Sequence, residues 1–303
     1  MMPAPREIQP FSLIAADMFS LEELAAAYNQ SRIDEPLDEA GFGAYLKAQA
    51  VDLASSLMAL DIRQRCAGLG LVGIRGERAW ISVSVSRDQR QSDVTRALLP
   101  SLLSTVDQRC SGALLVEVGQ ADAATQGLLA RAGFRQLDDL VTLRREAGVP
   151  AGTAAGNANW FSHSTALTLL GTRKTAVPWS VDTAAFRGAA QVEGVAVSLP
   201  EGGLGWAIFQ REPAGLNHLV LHTQSGDPAA VGAALLSHLH QRYPHLDLAA
   251  AAVRSSDAHL PAFAQHGYHE VGRRVQLQLN APAAERFPFA RPDYQRSELV
   301  ASG

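Results

Sequence analysis

Residues 146–159 read EAGVPAGTAAGNAN, a run in which Gly, Ala, Pro and Asn displace every periodic apolar signal near the middle of a 303-residue chain. On its N-terminal side, apolar spacing predicts helices over 21–32 and 37–60. Strands over 67–74 and 79–86 follow, joined by the polar turn at 75–78, then a helix over 93–107, a strand over 113–118, a helix over 121–131 and a strand over 137–144. On its C-terminal side the later part of this order recurs. Strands are expected over 191–199, 204–210 and 217–223, then a helix over 228–242, a strand over 246–253, a helix over 258–266 and a strand over 271–279. Residues 160–187 carry no clear pattern, and 281–303, with Pro282, Pro288 and Pro292, read as a surface extension.

The chain is long enough for two cores. Hydrophobic residues make up 47% of it, which excludes a disordered polymer. A net charge of −4 gives no general attraction for phosphate backbones or anionic lipid, so neither nucleic acid nor membrane is expected as a partner. Arg6, Glu7 and Asp17 interrupt the N-terminal apolar residues, and no segment approaches 18 uncharged apolar residues, so a cytoplasmic location is expected. Cys66 and Cys110 are too few for a disulfide framework and lack the spacing of a zinc site, which leaves them as reduced, buried thiols.

Residues 80–99 with 128–143, and 219–236 with 263–279, carry the two halves of the repeat: a strand, a turn that opens a helix, and later a helix closed by Gly133-Phe134 or Gly267-Tyr268. This arrangement resembles the GNAT-type N-acetyltransferase family in two tandem copies. The resemblance implies an α+β fold of two tandem acyl-CoA N-acyltransferase (GNAT-like) domains, each a mixed, mostly antiparallel sheet flanked by helices. The expected boundaries are a domain at 1–146, a linker at 147–159, a domain at 160–281 and an extension at 282–303. In that family a turn of the form Arg-x-x-Gly-x-Gly/Ala holds the pyrophosphate of coenzyme A on backbone N–H groups. A helix N-terminus suits this, because its first amides are unpaired and its dipole favours an anion.

Aligning Ala97-Leu98-Leu99 on that pattern puts Arg90 at the Arg but Asp93 and Thr95 at the glycines, and a carboxylate there repels phosphate. Aligning Ala234-Leu235-Leu236 puts Ala230 and Gly232 at the small positions, after Ser225-Gly226, with Asp227 as N-cap and Pro228 in the first turn. The resemblance therefore points to the C-terminal copy as the working one, with Ala230, Val231, Gly232 and Ala233 as its coenzyme-binding residues. The Asp227 cap competes for the same amides. Where the family carries a Tyr that protonates the departing thiolate, this chain has Leu129 and Phe263, neither of which transfers a proton.

A base for the amine is sought on the central strand. His218 and His222 alternate onto the face of Val220 and are the candidates; Glu117, inside the strand over 113–118, is the candidate of the first copy, or else a core-edge carboxylate hydrogen-bonded to backbone. His238 and His240 diverge on a helix, and His266 and His269 lack a third ligand, so no metal is expected. Gly68-Leu69-Gly70 lies in a strand pattern with no helix after it, there is no Walker A run, and no Gly-x-Ser-x-Gly appears, so nucleotide-binding and hydrolase readings have no support. The resemblance implies an N-acetyltransferase that uses acetyl-CoA as co-substrate and a small-molecule or peptide amine as acceptor. A homodimer is compatible with the chain. The alternative is a non-catalytic binding or regulatory protein on the same fold that no longer uses acetyl-CoA.

Overall fold

The computed structural model describes residues 11–31, 36–110, 112–148, 154–173, 177–189, 191–212 and 215–280. The extension expected over 282–303 lies outside the described residues. The first half runs β1 (Ser12–Ala15), α1 (Leu21–Asn29), α2 (Glu39–Ala48), β2 (Leu57–Leu60), β3 (Cys66–Arg75), β4 (Arg78–Val85), α3 (Gln91–Arg109), β5 (Leu114–Gly119), α4 (Ala123–Arg131) and β6 (Arg135–Arg145). The second half runs β7 (Asn157–Phe161), α5 (His163–Gly171), α6 (Thr183–Arg187), β8 (Val192–Ser198), β9 (Leu204–Glu212), β10 (Gly215–Ser225), α7 (Pro228–Arg242), β11 (Asp247–Arg254), α8 (Leu260–Gln265) and β12 (His269–Leu279).

One expected helix is corrected. The apolar run over 37–60 breaks after Ala48: Ala50 sits at φ 52, a left-handed conformation that cannot continue a helix, and Leu57–Leu60 is β2. All four β2 residues are buried. A strand covered on both faces reads as a continuous apolar run, which periodicity does not separate from a helix. Elsewhere the local chemistry sets the boundaries. Ser20 and Glu23 form a reciprocal capping box on α1, and Asp38 caps α2. Both α4 and α8 end alike: Phe134 N–H donates to Leu129 O and Tyr268 N–H to Phe263 O, with Gly133 at φ 90 and Gly267 at φ 78.

The twelve strands form one sheet in the order β1-β2-β3-β4-β5-β12-β6-β11-β10-β9-β8-β7. Among the described residues, only β4–β5 and β10–β11 pair parallel. The centre of the sheet holds a reciprocal exchange. β12, the last strand of the second half, pairs with β5 and β6, while β6, the last strand of the first half, pairs with β11. The exchange extends into the cores: Val275, Leu277 and Leu279 pack into the apolar cluster under α3, and Val141 and Leu143 into the cluster under α7. Burying each such side chain contributes roughly 1.5–3 kcal/mol, so each half completes the other.

A repeated steric fit confirms the duplication. Gly68 on β3 faces Val94 on α3, where an added Cβ would lie 2.7 Å from Val94 Cγ1; Gly205 on β9 faces Val231 on α7, where the distance would be 2.4 Å. In each half the third strand lacks a side chain so that the first turn of the following helix can dock on it.

Candidate active site

Among the described residues, β10 and β11 pair at two positions, Gly215↔Asp247 and Leu216↔Leu248. Each strand then bulges. The β10 register with β9 shifts between Asn217 and Val220, with His218 at φ 52, and the β11 register with β6 shifts between Ala250 and Val253, with Ala252 at φ 54. A bulge adds an unpaired residue and bends its strand, and two at the same level turn neighbouring strands apart. From Asn217 onward the edge of β10 facing β11 has no ladder partner in that strand. The result is a cleft of about 180 Å³, with Arg173, Pro178 and Val220 among its walls, together with His222, His259 and Phe263.

The first half differs at both features. β4 runs in unbroken register against β3 from Gly68↔Val85 to Arg75↔Arg78. Its α1–α2 face is filled by Trp179 from the second half, which is fully buried, stacks on Trp80 at 6.4 Å and donates its indole N–H to Gln49 O at 3.1 Å. Arg75 lies over the same indole at 4.1 Å. Thr95, one of the residues at a glycine position, is buried.

The histidines singled out in the sequence have separate surroundings. His218 is hydrogen-bonded to the Ser180 backbone, its Nδ1 has no partner among the described residues, and burial pulls its pKa down to about 4. His222 lines the cleft, its ring tilted at 33° to that of Trp206 with centroids 4.8 Å apart. Its pKa is lowered by burial and then by the neighbouring His259 and Arg173. Glu117 pairs with Arg274 across the β5–β12 ladder at 3.3 Å. His240 contacts Tyr268 Oη at 3.2 Å, and its ring meets that of His266 at 5.4 Å. Among the described residues no three His, Cys, Asp or Glu side chains are placed to hold a metal, and no helix is long and apolar enough to cross a membrane.

At the start of α7, Asp227 Oδ2 accepts the Ala230 N–H at 3.0 Å, Asp227 Oδ1 the Ala229 N–H at 3.4 Å and Asp227 O the Val231 N–H at 3.0 Å. Gly232 and Ala233 lie a turn inside the helix, where amides belong to its ladder. Gly232 is a packing position: an added Cβ would lie 3.0 Å from Ala262 Cβ and 3.2 Å from His259 Cδ2. Its lack of a side chain lets α8 lie against α7.

Three side chains unremarked in the sequence meet here. Thr223 Oγ1 lies 2.9 Å from His259 Nε2, and His259 Nδ1 lies 2.7 Å from Asp257 Oδ1. The sequence signal was Asp257-Ala258-His259 just before α8, an Asp placed to bond the backbone two residues on, which it does at 2.8 Å. Thr223 is 36 residues away along the chain, and nothing local announces that contact.

No family model matches the chain, and no curated protein matches it. Solved structures do. A GCN5-related N-acetyltransferase from Sphaerobacter thermophilus superposes with a TM-score of 0.62 at 13% identity, covering 89% of this chain and 96% of that one. A tandem GNAT protein from the clavulanic acid biosynthesis pathway gives 0.58 at 15% identity, covering 92% and 99%. A GCN5-related glucosamine N-acetyltransferase region of a fungal multi-domain GH3 beta-N-acetylglucosaminidase gives 0.62 at 13% identity, covering 89% of this chain and 38% of that one. With the duplicated order, the parallel strand pair in each half and the two Gly-aromatic helix ends, these likenesses show that the chain has the tandem fold of the GCN5-related N-acetyltransferases.

Proposed function

We propose that the second half transfers an acyl group from acetyl-CoA to a primary amine of a small molecule or peptide in the cleft between β10 and β11. The observation that carries this reading is the early parting of the two strands, which leaves a run of β10 backbone facing an opening. An extended pantetheine arm pairs with such an edge as a missing strand would. An N–H beyond the bulge polarises the thioester carbonyl, because a fixed donor aimed at a developing oxyanion needs no reorganisation. The cation Arg173 and the half-buried His222 stand beside the opening, where an acceptor amine would enter. The diphosphate takes the Ala229 and Ala230 amides once the Asp227 carboxylate swings out.

The Asp227 cap favours a second reading, a binding protein that no longer uses the coenzyme, because those amides are already satisfied. Isothermal titration with acetyl-CoA, followed by thiol release with a panel of amines, separates the two. Binding with amine-dependent thiol release is the expected result. Absence of binding at millimolar ligand would establish the second reading.

A further inference from the structure

The chain Thr223–His259–Asp257 has a defined hydrogen-bond direction. A carboxylate only accepts, so Nδ1 of His259 carries the proton given to Asp257, and Nε2 presents a lone pair that receives the Thr223 hydroxyl. Asp257 is itself held by the His259 backbone N–H at 2.8 Å. Burial opposes the Asp257 charge, yet the hydrogen bonds from His259 and the charge of Arg254 keep its pKa below the usual carboxylate value. A carboxylate, an imidazole fixed in one tautomer and a hydroxyl parked on its free nitrogen form the general arrangement of an oriented base. His259 lines the cleft, one helical turn before Phe263.

We infer that His259 is the general base and acid of the transfer proposed for this cleft, with Asp257 as the positioning residue that fixes its tautomer. The inference rests on the acyl-transfer reading above. His259 Nε2, released by Thr223, takes a proton from the amine as the nitrogen attacks the thioester carbon; the C–N bond forms and the carbonyl electron pair moves to oxygen. The oxyanion then re-forms the C=O bond as the C–S bond breaks, and the imidazolium returns its proton to the departing thiolate. The acyl group has moved from sulfur to nitrogen and one proton from nitrogen to sulfur, with nothing else consumed. One residue thus does what neither Phe263 nor the occupied His218 does. Among the described residues His222 has no orienting carboxylate comparable to Asp257. The groups around the relay are Arg254 at the end of β11 and Asp257 in the turn after it, His222 on β10 with Arg173 beside it, and Gly232 on α7.

The test uses the full chain with His259→Gln, His259→Ala and Asp257→Asn, each checked for folding by circular dichroism. Acetyl-CoA affinity is measured by calorimetry and thiol release with two donors, acetyl-CoA and the short thioester S-acetyl-N-acetylcysteamine. The expected result is unchanged affinity, a fall in kcat of about 10²- to 10⁴-fold for His259→Gln, loss of the acid limb of the pH profile, and partial rescue of His259→Ala by imidazole. Asp257→Asn lowers kcat with little change in KM. Nitrogen-15 NMR of the free protein should show the Nδ1–H tautomer at His259. Unchanged kcat in His259→Gln, losses without imidazole rescue, or the Nε2–H tautomer would overturn the inference while leaving the acyl-transfer reading in place. Should acetyl-CoA fail to bind while His259-dependent aminolysis of the short thioester persists, the coenzyme reading fails and the role of His259 stands. Consumption of neither thioester overturns both.

Discussion

Arg75 Nη1 lies 2.7 Å from Asp182 Oδ1, joining β3 of the first half to the N-cap of α6 in the second. The two side chains are 9% and 12% exposed, and the same guanidinium donates to Trp179 O at 2.6 Å. Removing one member of a buried pair leaves the other charge uncompensated. Arg75→Met and Asp182→Asn should therefore each destabilise the fold by about 3–5 kcal/mol, and the double variant should cost less than the sum, read from urea denaturation midpoints. Additive losses would mean that the pair is not coupled.

Gly205→Ala should be costly, because the new methyl meets Val231 Cγ1 at 2.4 Å and His222 O at 2.6 Å. Overpacking of this kind costs about 1–3 kcal/mol. Gly68→Ala, with Val94 Cγ1 at 2.7 Å and Ser84 O at 2.9 Å, should behave alike, whereas Gly272→Ala, with nothing within 4 Å, should stay within about 0.5 kcal/mol. Thermal melts of the three variants check the ordering.

Asp227→Ala should move two observables in opposite directions. Loss of an N-cap costs about 1 kcal/mol of stability. The Ala229 and Ala230 amides it frees are the ones the proposed diphosphate needs, so acetyl-CoA should bind more tightly to this variant than to the parent. Calorimetry showing weaker binding would count against a diphosphate site at α7.

Acid should destabilise the protein well before its carboxylates are protonated. Burial, with the nearby Arg145 and His266 charges, lowers the His240 pKa to about 3, and burial lowers that of His218 to about 4. Both histidines bind a proton more readily when unfolded, near 6.5, so stability is intact above that pH and falls as pH drops from about 6.5 toward 4. Each contributes a slope on the order of 1.4 kcal/mol per pH unit in that window. His240→Phe should flatten the profile, as measured by denaturation at pH 7, 6 and 5. An unchanged slope would show that His240 is accessible to protons in the native state.

Periodicity located β3, β4, α3, β5, α4 and the run from β8 to β12, because each of these buries one face or is bounded by turn residues and caps. It missed β1, β7 and α5, which lie at the sheet's edges or in segments whose apolar spacing is weak. The family resemblance, and not periodicity, named Gly232 among the coenzyme-binding residues; in the fold its missing side chain leaves room for His259 and Ala262. A small residue admits any close neighbour, and the pattern does not say which.

The chain by itself determined the duplicated order of elements, the helix ends at Gly133 and Gly267, and the contrast between Asp93 in one copy and Asp227-Pro228 in the other. These are local choices of backbone conformation and capping, written within a few residues of where they act. Only the tertiary structure decided that β12 and β6 change places, that Trp179 fills the first half's face, and that Thr223, His259 and Asp257 meet at the mouth of the cleft. Alternation tells which face of a strand is buried but not which strand lies beside it, and a side-chain contact across many residues exists only after the sheet has bent at its two bulges.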